Sequence, residues 1–132
     1  MYFYQAYAHY PWKLLLKSGT EGVAISNYGR NLMKEMMLVY DGNQHRYAQI
    51  AGHGFRILAE AMEKDLPYEI KYPSLLICGI KDHAGSCIRY NREWHRKMEI
   101  PLKWIEGAGH NSNTDKPEMI NSLVEEFLSN IL

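Results

Sequence analysis

An aspartate and a histidine, Asp82 and His110, each follow a short apolar segment in the second half of this 132-residue chain. A carboxylate that hydrogen-bonds an imidazole fixes the tautomer of the ring and stabilises its protonated form, so the ring can take a proton from a nucleophile. We therefore regard His110 as the candidate general base and acid, and Asp82 as the residue that orients it.

Two predicted strands would bring these side chains together. Residues 74–79 form an apolar run entered through Pro73, which is typical of a strand buried on both faces, and residues 101–105 form a second strand. Sites in open parallel sheets form beyond the carboxyl ends of strands, and neighbouring strands lie about 5 Å apart. Asp82 and His110 both lie just beyond such an end, and glycines at 107 and 109 allow a tight turn before His110.

The elements around these strands follow from helical spacing. Ser86 can cap a helix with an apolar face formed by Cys87, Asn91, Trp94 and Met98. A final helix is predicted to begin around Lys116 and Pro117, and Asp115 with Glu118 has the spacing of a capping box. Its apolar pairs indicate a fully apolar face that must be docked: Met119-Ile120, Leu123-Val124, Phe127-Leu128 and Ile131-Leu132. The order strand, helix, strand, helix predicts a parallel β–α–β unit with a right-handed crossover.

Residues 1–72 have a different composition, rich in Tyr, Met and Gly, and are predicted to be helical. One helix is expected over residues 28–40, and a second runs from Tyr47 until Lys64, Asp65 and Pro67 end it. The Met and Tyr side chains are either filler of an irregular core or the lining of an adaptable apolar pocket.

The segment LLICGIKD, followed by WIEGAGH and an amphipathic terminal helix, resembles the C-terminal part of the α/β-hydrolase fold. The resemblance covers about residues 70–132, and residues 1–70 are similar, much more weakly, to the helical lid of many members. It implies an α/β fold class: a partial α/β-hydrolase fold in which a mainly helical lid-like region, 1–72, precedes the C-terminal βαβα unit of a parallel sheet, 73–132. In that family the chain order is nucleophile, acid, histidine, so Asp82 resembles the acid and His110 the base of a hydrolase that acts on an ester, thioester or amide.

The chain departs from that family in one large respect, because the nucleophile elbow G-x-S-x-G is absent from these 132 residues. Ser26 precedes Asp82 but lacks the flanking glycines, whereas Ser86 and Cys87 follow the acid and start a helix. We expect a portion of a hydrolase without its nucleophile, so that serine or aspartate chemistry remains open. The alternative is a non-catalytic truncated product or a subdomain that docks on another chain, through a complementary N-terminal segment or self-association.

Composition narrows the possible partners and the possible location of the protein. Fifteen basic and fifteen acidic side chains cancel, which argues against nucleic acid or an anionic membrane as partner. No apolar run approaches a membrane span, no signal peptide is evident, and two cysteines favour reduced thiols in a cytoplasmic protein. The expected partner is a small apolar or aromatic substrate.

A metal site and a phosphate loop are the chemical competitors. The set Asp82, His83, His95 and His110 offers ligands, but these histidines lack i, i+4 spacing and no Cys-x-x-Cys occurs. The Gly52-His53-Gly54 triplet follows no predicted strand and is expected to mark close packing or a kink in the helix. The sequence therefore predicts no metal and no cofactor.

Overall fold

The computed structural model describes residues 2–64 and 69–132, and these residues form a mixed α/β chain that is mostly helical around a small parallel sheet. The described elements follow one another as α1 (Tyr2–His9), α2 (Trp12–Glu21), α3 (Asn27–Leu38), α4 (Gln44–Glu63), β1 (Leu76–Gly79), α5 (Cys87–Met98), β2 (Leu102–Ile105), α6 (Ser112–Asp115) and α7 (Pro117–Ser129).

The two strands pair in parallel, from Leu76 opposite Leu102 to Gly79 opposite Ile105. Helix α5 connects them, as the sequence predicted, and packs against both strands. The strand ends carrying the 82 and 110 loops therefore lie side by side at one edge of the sheet. The predicted β–α–β order is confirmed, with each strand slightly shorter than expected.

The prediction that the first strand is buried on both faces is wrong for half of its length. Cys78 and Gly79 are buried, but Leu76 and Ile77 are only half-buried. The described residues supply β1 with β2 as its sheet neighbour and with no second neighbour on its outer edge. The apolar run is therefore suited to a larger sheet than the described residues build.

Helix α5 presents the predicted face to the strands. Cys87, Asn91, Trp94 and Met98 are half-buried, whereas Arg92, Glu93 and the other polar residues between them are exposed. The 3–4 spacing of these four residues places them on one side of the helix. This part of the sequence-based interpretation is confirmed residue by residue.

Helix α7 begins at Pro117, as predicted, and docks through only part of its apolar surface. Ile120 joins Ile105 and Ala108 in the buried core, with Ile77 and Leu123 packed against it. Other apolar side chains of α7 remain exposed, namely Met119, Val124 and Leu128, as does Ile131 just beyond the end of the helix. Helix α7 is therefore only partly covered by the described residues.

The first half contains the two predicted helices, α3 and α4, with somewhat different bounds. Ser26 caps α3 by accepting the Gly29 N–H at 2.9 Å, and Asn43 caps α4 by accepting the Arg46 N–H at 3.3 Å. Helix α4 ends at Glu63, but Asp65 and Pro67, the predicted terminators, lie outside the described residues. Helix α1 packs along α4, and Gly52 of α4 lies where a Cβ would come within 3.2–3.3 Å of Tyr4, so the expected close packing is confirmed there.

Aromatic rings fill the space between the first four helices. Tyr47 lies at the centre, and its ring centroid is 5.7 Å from those of Trp12 and Tyr40 and 6.0 Å from that of Tyr7. Burial raises the pKa of the Tyr47 hydroxyl, and the neighbouring Tyr7 and Tyr40 raise it further. This packing favours the core-filling interpretation for these tyrosines.

None of the helices in the described residues is both long enough and apolar enough to cross a membrane.

Candidate active site

The structure brings the two predicted site residues into direct contact. Asp82 lies three residues after β1 and His110 five residues after β2, and the parallel register places these loops together. The Nδ1 atom of His110 is 3.0 Å from Oδ2 of Asp82. The Asp82 side chain is 5% exposed and that of His110 43% exposed. A buried carboxylate thus holds one nitrogen of a ring that is open to solvent.

The two oxygens of Asp82 have separate partners. Oδ1 accepts the backbone N–H of Ala84 at 2.8 Å, and the Asp82 N–H donates to the Gly79 carbonyl at 3.1 Å. Asp82 therefore caps its own turn, a common use of aspartate, while Oδ2 remains available for His110. The turn-capping and histidine-orienting roles coexist, because they use different oxygen atoms.

Glycines allow the turn before His110 to cross the end of β1. Gly107 has φ +69°, in the left-handed region that favours glycine. At Gly79 an added Cβ would lie 2.2 Å from the Gly109 carbonyl oxygen and 2.4 Å from that of Ala108. The Ala108 carbonyl also accepts the Lys81 N–H at 3.0 Å, which links the two loops. Glycine is therefore required not only in the turn before His110, as predicted, but also at Gly79 on the other strand, where a side chain would collide with that turn.

Asp115 is a central residue of this region that the sequence analysis misassigned. Its Oδ1 accepts the backbone N–H groups of Ser26 at 2.7 Å and Ile25 at 2.9 Å, and its Oδ2 accepts that of Gly109 at 2.8 Å. Asp115 is buried in α6 and does not cap α7, where Lys116 occupies the cap position without a side-chain bond. The predicted capping box is wrong, because the carboxylate is already used by three backbone donors.

These hydrogen bonds keep Asp115 ionised and hold the loop that carries His110. Burial by itself raises the pKa of Asp115, but the N–H groups of Gly109, Ser26 and Ile25 together bring it below its usual value. On the other side of His110, the Asn111 N–H donates to the Val23 carbonyl at 2.8 Å. The connection between α2 and α3 therefore fixes the backbone on both sides of the histidine. No local pattern could indicate the link to the first half of the chain, since Ile25 and Ser26 lie 90 and 89 positions from Asp115.

The thiol of Cys87 is a third side chain at the same place. One ligand atom each from Asp82, Cys87 and His110 lie within 4.8 Å of one another. Burial raises the pKa of the Cys87 thiol, and the negative charge of Asp82 raises it further, so the thiol is protonated at neutral pH. From sequence, Cys87 was weighed as a nucleophile and assigned to the start of a helix instead; its position in the first turn after the Asp82 loop is the signal that could have indicated this contact.

The other side chains considered from sequence have different surroundings. The Ser26 hydroxyl accepts the Gly29 N–H as the cap of α3, and Ser86 occupies the cap position of α5 without a side-chain bond. His83 is exposed, and Nδ1 of His95 is hydrogen-bonded to the Ile100 carbonyl at 2.7 Å. Of the four ligands considered together from sequence, only Asp82 and His110 belong to the cluster found among the described residues.

Comparisons of the chain with models of protein families, with curated proteins and with solved structures found no match. The resemblance to α/β-hydrolases therefore remains a prediction.

Proposed function

We propose that Asp82 and His110 are the acid and the base of a hydrolase that transfers an acyl group to water. The observation that carries this proposal is the 3.0 Å contact between Nδ1 of an exposed imidazole and a carboxylate that is 5% exposed. In this arrangement the bonded nitrogen keeps its proton, and the other nitrogen is free to accept one from a nucleophile. His110 then returns that proton to the leaving group, while ionised Asp82 stabilises the imidazolium.

The nucleophile is proposed to come from outside these 132 residues. Ser26 and Ser86 lack the glycine-flanked turn that exposes a nucleophile, and the protonated Cys87 thiol is not activated. A serine nucleophile would give ester, thioester or amide hydrolysis. An aspartate nucleophile would extend the chemistry to epoxides or haloalkanes.

The substrate class and the location belong to the same proposal. The helical first half would act as the lid over a small apolar or aromatic substrate. Cys78 and Cys87 are free thiols, which accords with a reducing, cytoplasmic environment.

Labelling with a fluorophosphonate tests the assignment of the nucleophile. The 132-residue chain is expected to remain unlabelled, and stoichiometric labelling of one of its serines would overturn the assignment. If the codons preceding Met1 encode a strand followed by G-x-S-x-G, the longer product should be labelled at that serine. In that product, His110→Ala should slow labelling at least a hundredfold, the usual size of a general-base effect, whereas His83→Ala should not.

A second function, docking on another chain without catalysis, is favoured by the exposed apolar surface. The outer edge of β1 has no strand partner among the described residues, and apolar side chains on α4 and α7 face solvent. Under this alternative, His110→Ala would leave association unchanged and the longer product would show no activity that depends on His110.

A further inference from the structure

The geometry points to a binding site for a divalent transition metal of the zinc type, formed by Asp82, Cys87 and His110. A carboxylate oxygen, a sulfur and an imidazole nitrogen lie within 4.8 Å of one another at the ends of β1 and β2 and the start of α5. This inference goes beyond the proposed hydrolase and departs from the sequence-based expectation that the chain binds no metal.

The distance between His110 and Asp82 is close to that between two ligands of a bound metal, and the sulfur of Cys87 lies within 4.8 Å of both ligand atoms. In a tetrahedral zinc site with bonds of about 2.0–2.3 Å, neighbouring ligand atoms are about 3.3–3.6 Å apart. The Nδ1 atom of His110 and Oδ2 of Asp82 are already 3.0 Å apart. Cys87 is half-buried in the first turn of α5, and a rotation about its Cα–Cβ bond moves the sulfur relative to the other two ligands.

The surroundings orient the ligands. The Ala84 N–H bonded to Oδ1 of Asp82 holds the carboxylate plane, which leaves Oδ2 directed at the cluster. Asp115 and Val23 hold the backbone on both sides of His110. The site is thus built largely from parts that the fold already fixes, and Cys87 is the ligand that completes it.

The donor set selects the class of metal. Calcium and magnesium prefer oxygen ligands, whereas a mixed sulfur, nitrogen and oxygen set suits zinc or cobalt. Binding displaces the thiol proton of Cys87 to solvent and leaves the ring proton of neutral His110 on Nε2, so that Nδ1 can bind and a thiolate and a carboxylate together balance the two positive charges. Three protein ligands leave a fourth position, and the exposure of His110 opens that position to water.

Metal binding would have a direct consequence for the proposed hydrolase. An imidazole nitrogen that holds a metal, and a carboxylate shared with that metal, no longer serve as an oriented base. The metal would therefore inhibit the Asp82–His110 pair. The binding itself does not depend on the proposed function, because it is measured without turnover.

Titration of the reduced, metal-free 132-residue chain with zinc, in competition with a chromophoric chelator, tests the site. We expect one zinc per chain and at least tenfold weaker binding in Cys87→Ser and in His110→Ala. Two matched controls remove the same residue types nearby: Cys78→Ala and His83→Ala should bind as the unchanged chain does. Far-ultraviolet circular dichroism verifies the fold, and Cys87→Ala replaces Cys87→Ser if the serine variant unfolds.

Cobalt gives a second readout that reports sulfur directly. The chain with Co²⁺ should show a thiolate-to-metal charge-transfer absorption that Cys87→Ser loses and Cys78→Ala retains. Absence of stoichiometric zinc binding, unchanged affinity in the Cys87 variants, or equal weakening by His83→Ala would overturn the inference. None of these outcomes affects the fluorophosphonate test, so failure of the metal site and failure of the hydrolase proposal are distinguishable.

Discussion

At the scale of single residues, the defining feature is that the two oxygens of the Asp82 carboxylate have different partners. Oδ1 of Asp82 holds its own turn through Ala84, and Oδ2 faces Nδ1 of His110. Because the carboxylate is buried, water does not replace either of these two hydrogen-bond partners. The residue at position 82 therefore determines which nitrogen of His110 carries the proton.

Asp82→Asn is expected to reverse that tautomer. The backbone N–H of Ala84 requires an oxygen at Oδ1, so the asparagine amide would direct its NH₂ group at Nδ1 of His110. The neutral ring would then carry its proton on Nε2, whereas the unchanged chain carries it on Nδ1. Long-range ¹H–¹⁵N correlation spectra of the imidazole distinguish the two forms, with exposed His83 as the internal control. An Nδ1–H tautomer in the variant would contradict this reading of the contact.

At the scale of elements, the position of the His110 loop depends on two contacts with other parts of the chain. Asp115 in α6 joins the α2–α3 connection to the turn that precedes His110. Gly79 at the end of β1 lets that turn pass directly over the strand. Each can be tested by a substitution that leaves Asp82 and His110 unchanged.

Asp115→Asn should destabilise the fold by about 3 kcal/mol at pH 7, because one buried N–H would face an amide NH₂ instead of an acceptor. Asp41→Asn, at an exposed aspartate, should have little effect. Urea unfolding measures both, and equal stability of the two variants would contradict the tethering role.

The same carboxylate predicts a pH dependence. Since the pKa of Asp115 is lowered in the folded chain, its contribution is present above the unfolded value of about 3.9 and is lost as pH falls through the folded value. The free energy of unfolding should therefore fall below about pH 4, and less steeply in Asp115→Asn. Urea titrations at several pH values test this, and parallel curves for the two chains would contradict it.

Gly79→Ala and Gly54→Ala are a matched pair. At position 79 the new methyl group would overlap the Gly109 and Ala108 carbonyl oxygens, so one backbone must shift, at a cost of about 2–3 kcal/mol. At position 54, in α4, the methyl group meets open space, and replacing a helical glycine should stabilise by about 0.5–1 kcal/mol. Thermal unfolding should show a lower melting temperature for Gly79→Ala and a higher one for Gly54→Ala. An unchanged melting temperature for Gly79→Ala would show that the turn is not tightly packed on β1.

At the scale of the whole molecule, the described residues leave apolar surface uncovered. On α4, Ile50, Ile57, Leu58 and Met62 recur at helical spacing and are 46–56% exposed. The unpaired edge of β1 and the exposed apolar side chains of α7 add to this surface. Monomeric proteins rarely expose such patches, so we expect the isolated chain to associate.

Size-exclusion chromatography with light scattering tests this expectation. The chain should elute above its monomer mass of 15.4 kDa, and Leu58→Glu should shift it toward the monomer. Gln49→Glu adds the same charge at an exposed polar position of α4 and should leave the elution unchanged. A well-behaved monomer for the unchanged chain would contradict the expected association and count against the interpretation as a fragment.

The sequence by itself determined the parts of this protein that depend on local periodicity. The β–α–β order, the half-buried face of α5 and the position of Asp82 and His110 after two strands all follow from spacing within about ten residues. Parallel pairing then places the two strand ends together, so the contact between these side chains could be expected from sequence.

Only the tertiary structure decided the surroundings of that pair. Asp115 has the spacing of a cap for α7, yet it binds backbone groups about 90 positions away, and a carboxylate takes the partners that burial offers it. Cys87 comes within 4.8 Å of the pair because α5 starts at the strand ends; its place soon after Asp82 in the chain hints at this proximity, but only the fold fixes it. Burial on both faces of β1 was overestimated for the same reason: an apolar segment indicates that it can be covered, and only neighbouring elements decide whether it is.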